Sequence, residues 1–198
     1  DDSSTDSTYD VIKNYSRKDS RIRYYQSYEN KGAYYCRNLA LYYHIKECDY
    51  WTIHDADDEM YSYRLEKGLI NSKYHIAVSS YLLRKDLYTD EIILKDQSGN
   101  HSNILYHKNV FNDLGYYDEN TRFAGDAEYF YRFQQFYKQK FKLLKEYLFI
   151  AYNVGSNETI INPIGSKKRK DYVKKYQKSE ILKRNFHPFN ESGFVGIA

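Results

Sequence analysis

The sequence predicts an α/β domain with a mainly parallel sheet flanked by helices. Three observations predict it. Short apolar runs of strand length alternate with stretches whose apolar residues recur at helical spacing. One apolar run, "YWTI", delivers straight into a set of acids, as a buried strand does at a sheet edge. And 198 residues suit one domain around one core.

In chain order, "RIRYYQ", ending at Gln26, reads as a strand. In "KGAYYCRNLALYYHIKECD" a glycine precedes Leu39, Tyr42, Tyr43 and Lys46 at helical spacing. "YWTIHDADDEM" is the strand with its acids, and "HIAVSSYLLRK" (75–85) is a further strand. "KDQSGNHSN" is a turn-rich connector. "NILYHKNVFNDLGYYDE" gives a short strand, a short helix closed by Gly115, and a turn. "AGDAEYFYRFQQFYKQKF" is an amphipathic helix carrying Tyr129, Phe130, Phe133 and Phe136 or Tyr137. Asp126 and Glu128 sit in its first turn, where the helix dipole favours acids. "EYLFIAYNV" is the last strand. There is no internal repeat.

Hydrophobic content of 41%, with 18% aromatic, is that of a globular chain, although 25 tyrosines keep it polar. Cys36 and Cys48 share no CxxC spacing. That argues against a disulfide framework or zinc knuckle and fits a reducing, cytoplasmic location. No stretch approaches the ~20 apolar residues of a membrane span. The net charge of +3 is uneven: residues 166–184 hold nine Lys or Arg and net +7, leaving −4 on the rest. The chain therefore divides into a body, 1–165, and a basic C-terminal segment, 166–198, expected to be a helical tail or a lid. The same segment, with Tyr172 and Tyr176 interleaved, opens an alternative reading as a module for nucleic acid or an acidic surface. Lys/Arg runs are more often solvated helix faces, so no nucleic acid is expected.

Three acidic clusters carry the chemistry. Asp1, Asp2 and Asp6 in "DDSSTDST" can be a capped helix start. Asp55, Asp57 and Asp58 crowd one strand end, where carboxylates repel unless solvated or neutralised; such oxygen ligands suit Mg²⁺ or Mn²⁺ that also holds a phosphate. Asp126 and Glu128 can be plain capping or supply a general base.

Taken with their order and spacing, "DDSSTDST", "NKGAYYCRNLAL", "DADDEM", "NILYHKNVFNDLGYYDE" and "GDAEYFYRF" resemble the family-2 glycosyltransferases of the GT-A fold. The resemblance runs from Asp1 to about Phe136. Asn30, Gly32, Arg37 and Asn38 match the Asn-x-Gly-x-x-x-x-Arg-Asn element; Gly115, Asp118 and Glu119 match the Gly-x-x-Asp-Glu turn. The resemblance implies a Rossmann-like GT-A domain and a metal-dependent inverting transfer of a hexose or N-acetylhexosamine. It likewise implies a UDP-sugar donor and a glycan or protein hydroxyl as acceptor.

Residue by residue, it implies that Asp1 or Asp2 meets the uracil, with Ser3 and Ser4 shaping that loop. Asn30, Gly32 and Arg37 would line the nucleotide pocket, Arg37 alternatively pairing with one of the acids. Asp55 and Asp57 match the DxD spacing, one toward the ribose and the other on a divalent metal at the diphosphate, with Asp58 sharing either role and Asp57 favoured for the metal; His187 is a further metal candidate. Asp126 matches the acid that deprotonates the acceptor. Gly125 stands where the family has Glu, which leaves Asp126 and Glu128 open, with Asp126 favoured, and keeps a non-catalytic nucleotide-sugar-binding domain as another alternative. His107, Tyr116, Tyr117 and Phe123 are candidates for the acceptor side, the aromatics equally for packing. In the family the opening acids end a second strand. Roughly 30–40 residues, the size of a first βα unit, are thus expected to precede Asp1, making the chain part of a longer, multidomain protein.

Overall fold

A computed structural model of the chain describes residues 1–99, 103–138, 141–153, 166–180, 183–188 and 194–195. Its centre is the helix α5 (Gly125–Tyr137) laid on a mixed sheet. Strands β2 (Tyr50–Trp51), β6 (Leu105–His107), β4 (Ala77–Asp86), β7 (Phe141–Asn153) and β3 (Glu59–Met60) are neighbours in that order, and β5 (Ile92–Asp96) pairs with β4. The helix turns its aromatics inward. Tyr129 and Phe133 pack with Trp51, Tyr106, Ile104, Val110 and Leu114, all buried. Each such side chain contributes about 1.5–3 kcal/mol of burial free energy.

The α/β class holds, while the sheet is less parallel than the alternation predicts. Its one parallel ladder among the described pairs, β4 with β7, is the longest; β2–β6, β4–β6, β3–β7 and β4–β5 are antiparallel. The cause is connection length. The loop 87–91 is too short for a crossover helix, so β5 must fold back on β4. Asp86 shapes that turn by accepting from the amides of Tyr88 and Thr89, both at 2.9 Å.

Helices α2 (Ala33–His44) and α4 (Lys108–Leu114) lie where their spacing places them. Of two further helices, α1 (Thr8–Lys18) starts where the opening acids could cap one, and α3 (Arg64–Asn71) was not expected. The first begins after the opening acids, Asp6 accepting from the Thr8 amide at 3.0 Å. The strand expected to end at Gln26 is reduced to β1 (Gln26–Ser27), which pairs with β8 (Phe194–Val195). On its other side Asp1 N donates to Tyr25 O (2.8 Å) and Asp1 O accepts from Ser27 N (2.9 Å).

The basic segment is built into this body. Its helix, α6 (Lys167–Gln177), packs Tyr172 edge-on against Phe123 and sets Tyr176 beside Tyr131. Farther on, Arg184 joins Gly115 in a parallel bridge. Gly115 has φ 67°, and a Cβ there would overlap the Arg184 carbonyl oxygen. Gly115→Ala is therefore expected to cost about 1–3 kcal/mol and to loosen 166–188. Thermal unfolding measures the first effect, and tryptic cleavage within that segment the second. No described helix is long and apolar enough to cross a membrane.

Candidate active site

Loops from four parts of the chain meet around the N-terminus of α2. Asp2 fixes the loop before it, its two carboxylate oxygens accepting from the amides of Lys31 and Gly32 at 2.7 Å each. Asn30 Nδ2 donates back to Asp2 O at 3.2 Å. Asp1 accepts from the Ser4 amide and from Gln26 Nε2, both at 3.0 Å, while Ser3 takes a left-handed φ of 63° and Ser4 stays exposed. Gly32, at φ 95°, lies under Arg122, whose Nη1 would be 2.8 Å from an added Cβ. Arg122 also bonds the side chain and carbonyl of Asn30. These residues make a stiff loop, and Arg122, with no sequence signal of its own, ties it to the turn before α5.

Arg37 lies one turn into α2. It pairs with Asp55, taking the ion-pair alternative, and its guanidinium sits 4.9 Å over the Tyr34 ring. Burial opposes its charge. The neighbouring Asp55, with Tyr34, Tyr117 and Asp126, overrides that and holds the guanidinium above its ordinary range.

The turn 55–58 follows β2, closed by Asp58 N donating to Asp55 O at 3.2 Å. Asp58 accepts from the Tyr152 amide at 3.1 Å. Burial, and then the charges of Asp57 and Asp55, push its carboxyl up to about 7. Asp57 is exposed. Of the four expected metal residues, Asp55, Asp57 and Asp58 share this turn, but Asp55 pairs with Arg37, and His187 is exposed beside Glu119. Among the described residues no three His, Cys, Asp or Glu converge on a metal position. Asp57 and Asp58 still fit a hard divalent ion. Mg²⁺-type sites use one or two carboxylates and leave other positions to phosphate and water. Burial and the neighbouring acids disfavour the charged form of Asp58, a cost that a bound cation would offset.

The turn 115–125 is clamped onto α2 by Asn38, 1% exposed, whose Nδ2 donates to Tyr117 O (3.0 Å) and whose Oδ1 accepts from Tyr117 N (2.8 Å). Tyr117 and Phe123 are buried, and Tyr116 packs on Phe111 and Phe186; all three serve packing. His107 caps α4 by accepting from the Asn109 amide at 3.2 Å. Burial pushes the Glu119 carboxyl up, against a hydrogen bond from Asn38.

Two acids open α5, and the structure separates them. Ala124 holds a left-handed φ of 55°, a conformation costing a β-carbon residue about 1–2 kcal/mol. It turns Asp126 toward Tyr34, whose hydroxyl donates to Asp126 Oδ1 at 3.1 Å. Glu128 points the other way. It is 1% exposed and accepts from Arg132 Nε (2.8 Å) and Nη2 (3.0 Å) and from Arg184 Nε (3.1 Å). Held by two guanidiniums inside the protein, Glu128 is buried away from solvent, which leaves Asp126 the better placed of the two candidate bases. Arg184 also reaches Asp118 (3.4 Å), which accepts from the Tyr172 hydroxyl at 3.2 Å. The segment expected as a tail or lid thus packs against the turn 115–125 and α5. Lys168 Nζ and Arg169 Cζ lie 5.1 and 5.7 Å from the Phe123 ring centroid.

A family model described as glycosyl transferase family 2 matches residues 1–144. No curated protein matches the chain. Among solved structures, S. aureus TarS 1-349 in complex with UDP superposes with a TM-score of 0.56 at 16% identity, over 78% of this chain and 50% of that one. S. aureus TarS 1-349 gives a TM-score of 0.56 at 19% identity, over 77% and 49%. S. aureus TarS gives 0.56 at 16%, over 78% and 30%. These likenesses show a shared fold, and the chain spans half or less of each of those proteins.

Proposed function

We propose, since this chain belongs to glycosyl transferase family 2, that it moves a hexose or N-acetylhexosamine from a UDP-sugar to a glycan or protein hydroxyl by one inverting displacement. The carrying observation is the linkage Asp55–Arg37–Tyr34–Asp126. It sets the acidic turn after β2 and the acid at the start of α5 against one stretch of α2. The UDP bound by TarS 1-349 supports uridine diphosphate as the nucleotide.

In this reading Asp1 or Asp2 accepts from the uracil ring N–H, using lone pairs left over from the loop contacts. Arg37 stabilises the diphosphate end of the pocket. Asp57 and Asp58 hold Mn²⁺ or Mg²⁺, which when bound offsets charge building on the departing diphosphate. Asp126 takes the proton of the acceptor hydroxyl as it attacks the anomeric carbon. Holding both reactants in line and stabilising developing charge supply the rate.

A panel of UDP-sugars with Mn²⁺, read by UDP release with and without glycan and peptide acceptors, tests the reading. Release from one donor supports it, and silence from all of them sinks it. Asp57→Ala is expected to lower that release by about a hundredfold or more with an unchanged thermal midpoint, because an exposed carboxylate contributes little to stability. A further expectation follows from Asp58. An ion competes with a proton there, so Mn²⁺ affinity should rise as pH increases toward about 7 and level off above it. Calorimetric titration at pH 6, 7 and 8 measures this, and a flat profile removes Asp58 from the ion.

A further inference from the structure

We infer that Tyr34 is a positioning residue for Asp126, and that Gly125 is glycine so that the Tyr34 ring can reach it; this rests on Asp126 being the base. Gly125 has no left-handed φ, so the backbone does not call for glycine there. Space does. A Cβ on Gly125 would stand 2.8 Å from both Cε1 and Cζ of Tyr34 and 2.9 Å from Cδ1, closer than packed carbons come. The ring is fixed on its other sides by the Arg37 guanidinium at 4.9 Å and by Tyr117 at a centroid distance of 5.7 Å.

From that seat the Tyr34 hydroxyl makes two bonds to one residue. It donates to Asp126 Oδ1 at 3.1 Å and accepts from Asp126 N at 3.4 Å. Tyr34 is 6% exposed, and burial with the adjacent Asp126 charge keeps its hydroxyl protonated far above its ordinary range. It is therefore a permanent donor that takes no part in proton transfer. Oδ1 is tied down, while Oδ2 accepts no hydrogen bond among the described residues and faces the task of receiving the acceptor proton. The family's carboxylate at position 125 is absent here, and the phenol of a tyrosine 92 residues away in sequence holds the base in its stead. The linkage continues through Arg37 to Asp55, so the donor side and the base share one scaffold.

The test is UDP release by the full chain, with UDP-N-acetylglucosamine and UDP-glucose as donors, for wild type, Tyr34→Phe, Gly125→Ala, their combination, and Asp126→Asn. Tyr34→Phe keeps the ring and removes the hydroxyl. It is expected to lower kcat by about 10- to 100-fold with donor KM within about twofold, the signature of a misplaced base rather than a damaged pocket. Gly125→Ala keeps the hydroxyl but displaces the ring and should lose a similar factor. The combination should fall no lower than the worse single variant within about twofold, because both remove the same bond. Wild-type kcat in Tyr34→Phe, or losses that multiply in the combination, overturns the inference. Turnover retained in Asp126→Asn overturns the base assignment and the inference with it. A wild type silent with every donor of the panel overturns glycosyl transfer itself. Thermal midpoints accompany each variant, and Tyr34→Phe alone carries the test if Gly125→Ala does not fold.

Discussion

Asp126→Asn is expected to lower UDP release by about a thousandfold, within the span of about 10²–10⁴ that a general base contributes, while the protein keeps its thermal midpoint. The amide oxygen still accepts from the Tyr34 hydroxyl, so the local bonding survives. What is lost is the capacity to take a proton. No neighbour can replace it: Glu128, two residues on, is enclosed by Arg132 and Arg184. Kinetics with the donor that gives the highest wild-type rate, alongside a melting curve, decide the point. Activity within a few-fold of wild type would remove Asp126 from the chemistry.

Glu128→Gln is expected to have the opposite profile, a loss of about 3–5 kcal/mol in stability. Glu128 and Arg132 are 1% and 2% exposed, Asp118 is 6%, and Arg184 bridges the two acids. Neutralising Glu128 leaves Arg132 with the carbonyls of Leu114 and Tyr116 and Arg184 with Asp118. Breaking a buried pair from one side costs more than the pair itself contributes, because a charge remains without its partner. Urea unfolding measures the loss. Because Arg184 anchors the chain beyond α6, the same variant should expose 166–188 to trypsin at concentrations the wild type resists. A loss below about 1 kcal/mol would show the network to be replaceable by solvent.

The elements that the sequence made readable are those with strong periodicity and a clear stop. α5 carries aromatics at helical spacing and acids in its first turn, α4 ends at Gly115, and β4 carries the apolar residues Ala77, Val78, Leu82 and Leu83. β5 escaped because its apolar residues, Ile92, Ile93 and Leu94, are exposed on both faces and show no alternation. α1 buries none of its residues. Of the site, the matched acids of the opening loop, the turn 55–58 and Asp126 were readable from type and spacing. Tyr34, Arg122 and Arg184 were not, since each acts across a long sequence separation and none belongs to a local pattern.

The sequence by itself determined the α/β class, the order of the motifs and the family, because these depend on local periodicity and on spacing along one chain. Only the tertiary structure separated Asp126 from Glu128, which are two residues apart on one helix and alike in chemistry. A turn of about 100° per residue sends one toward Tyr34 and the other into the core between two arginines. It likewise decided that the basic segment packs against the turn 115–125. That outcome depends on Tyr172, Arg184 and Asp118 meeting in space, and burial then sets whether a charge is a reactant or a brace.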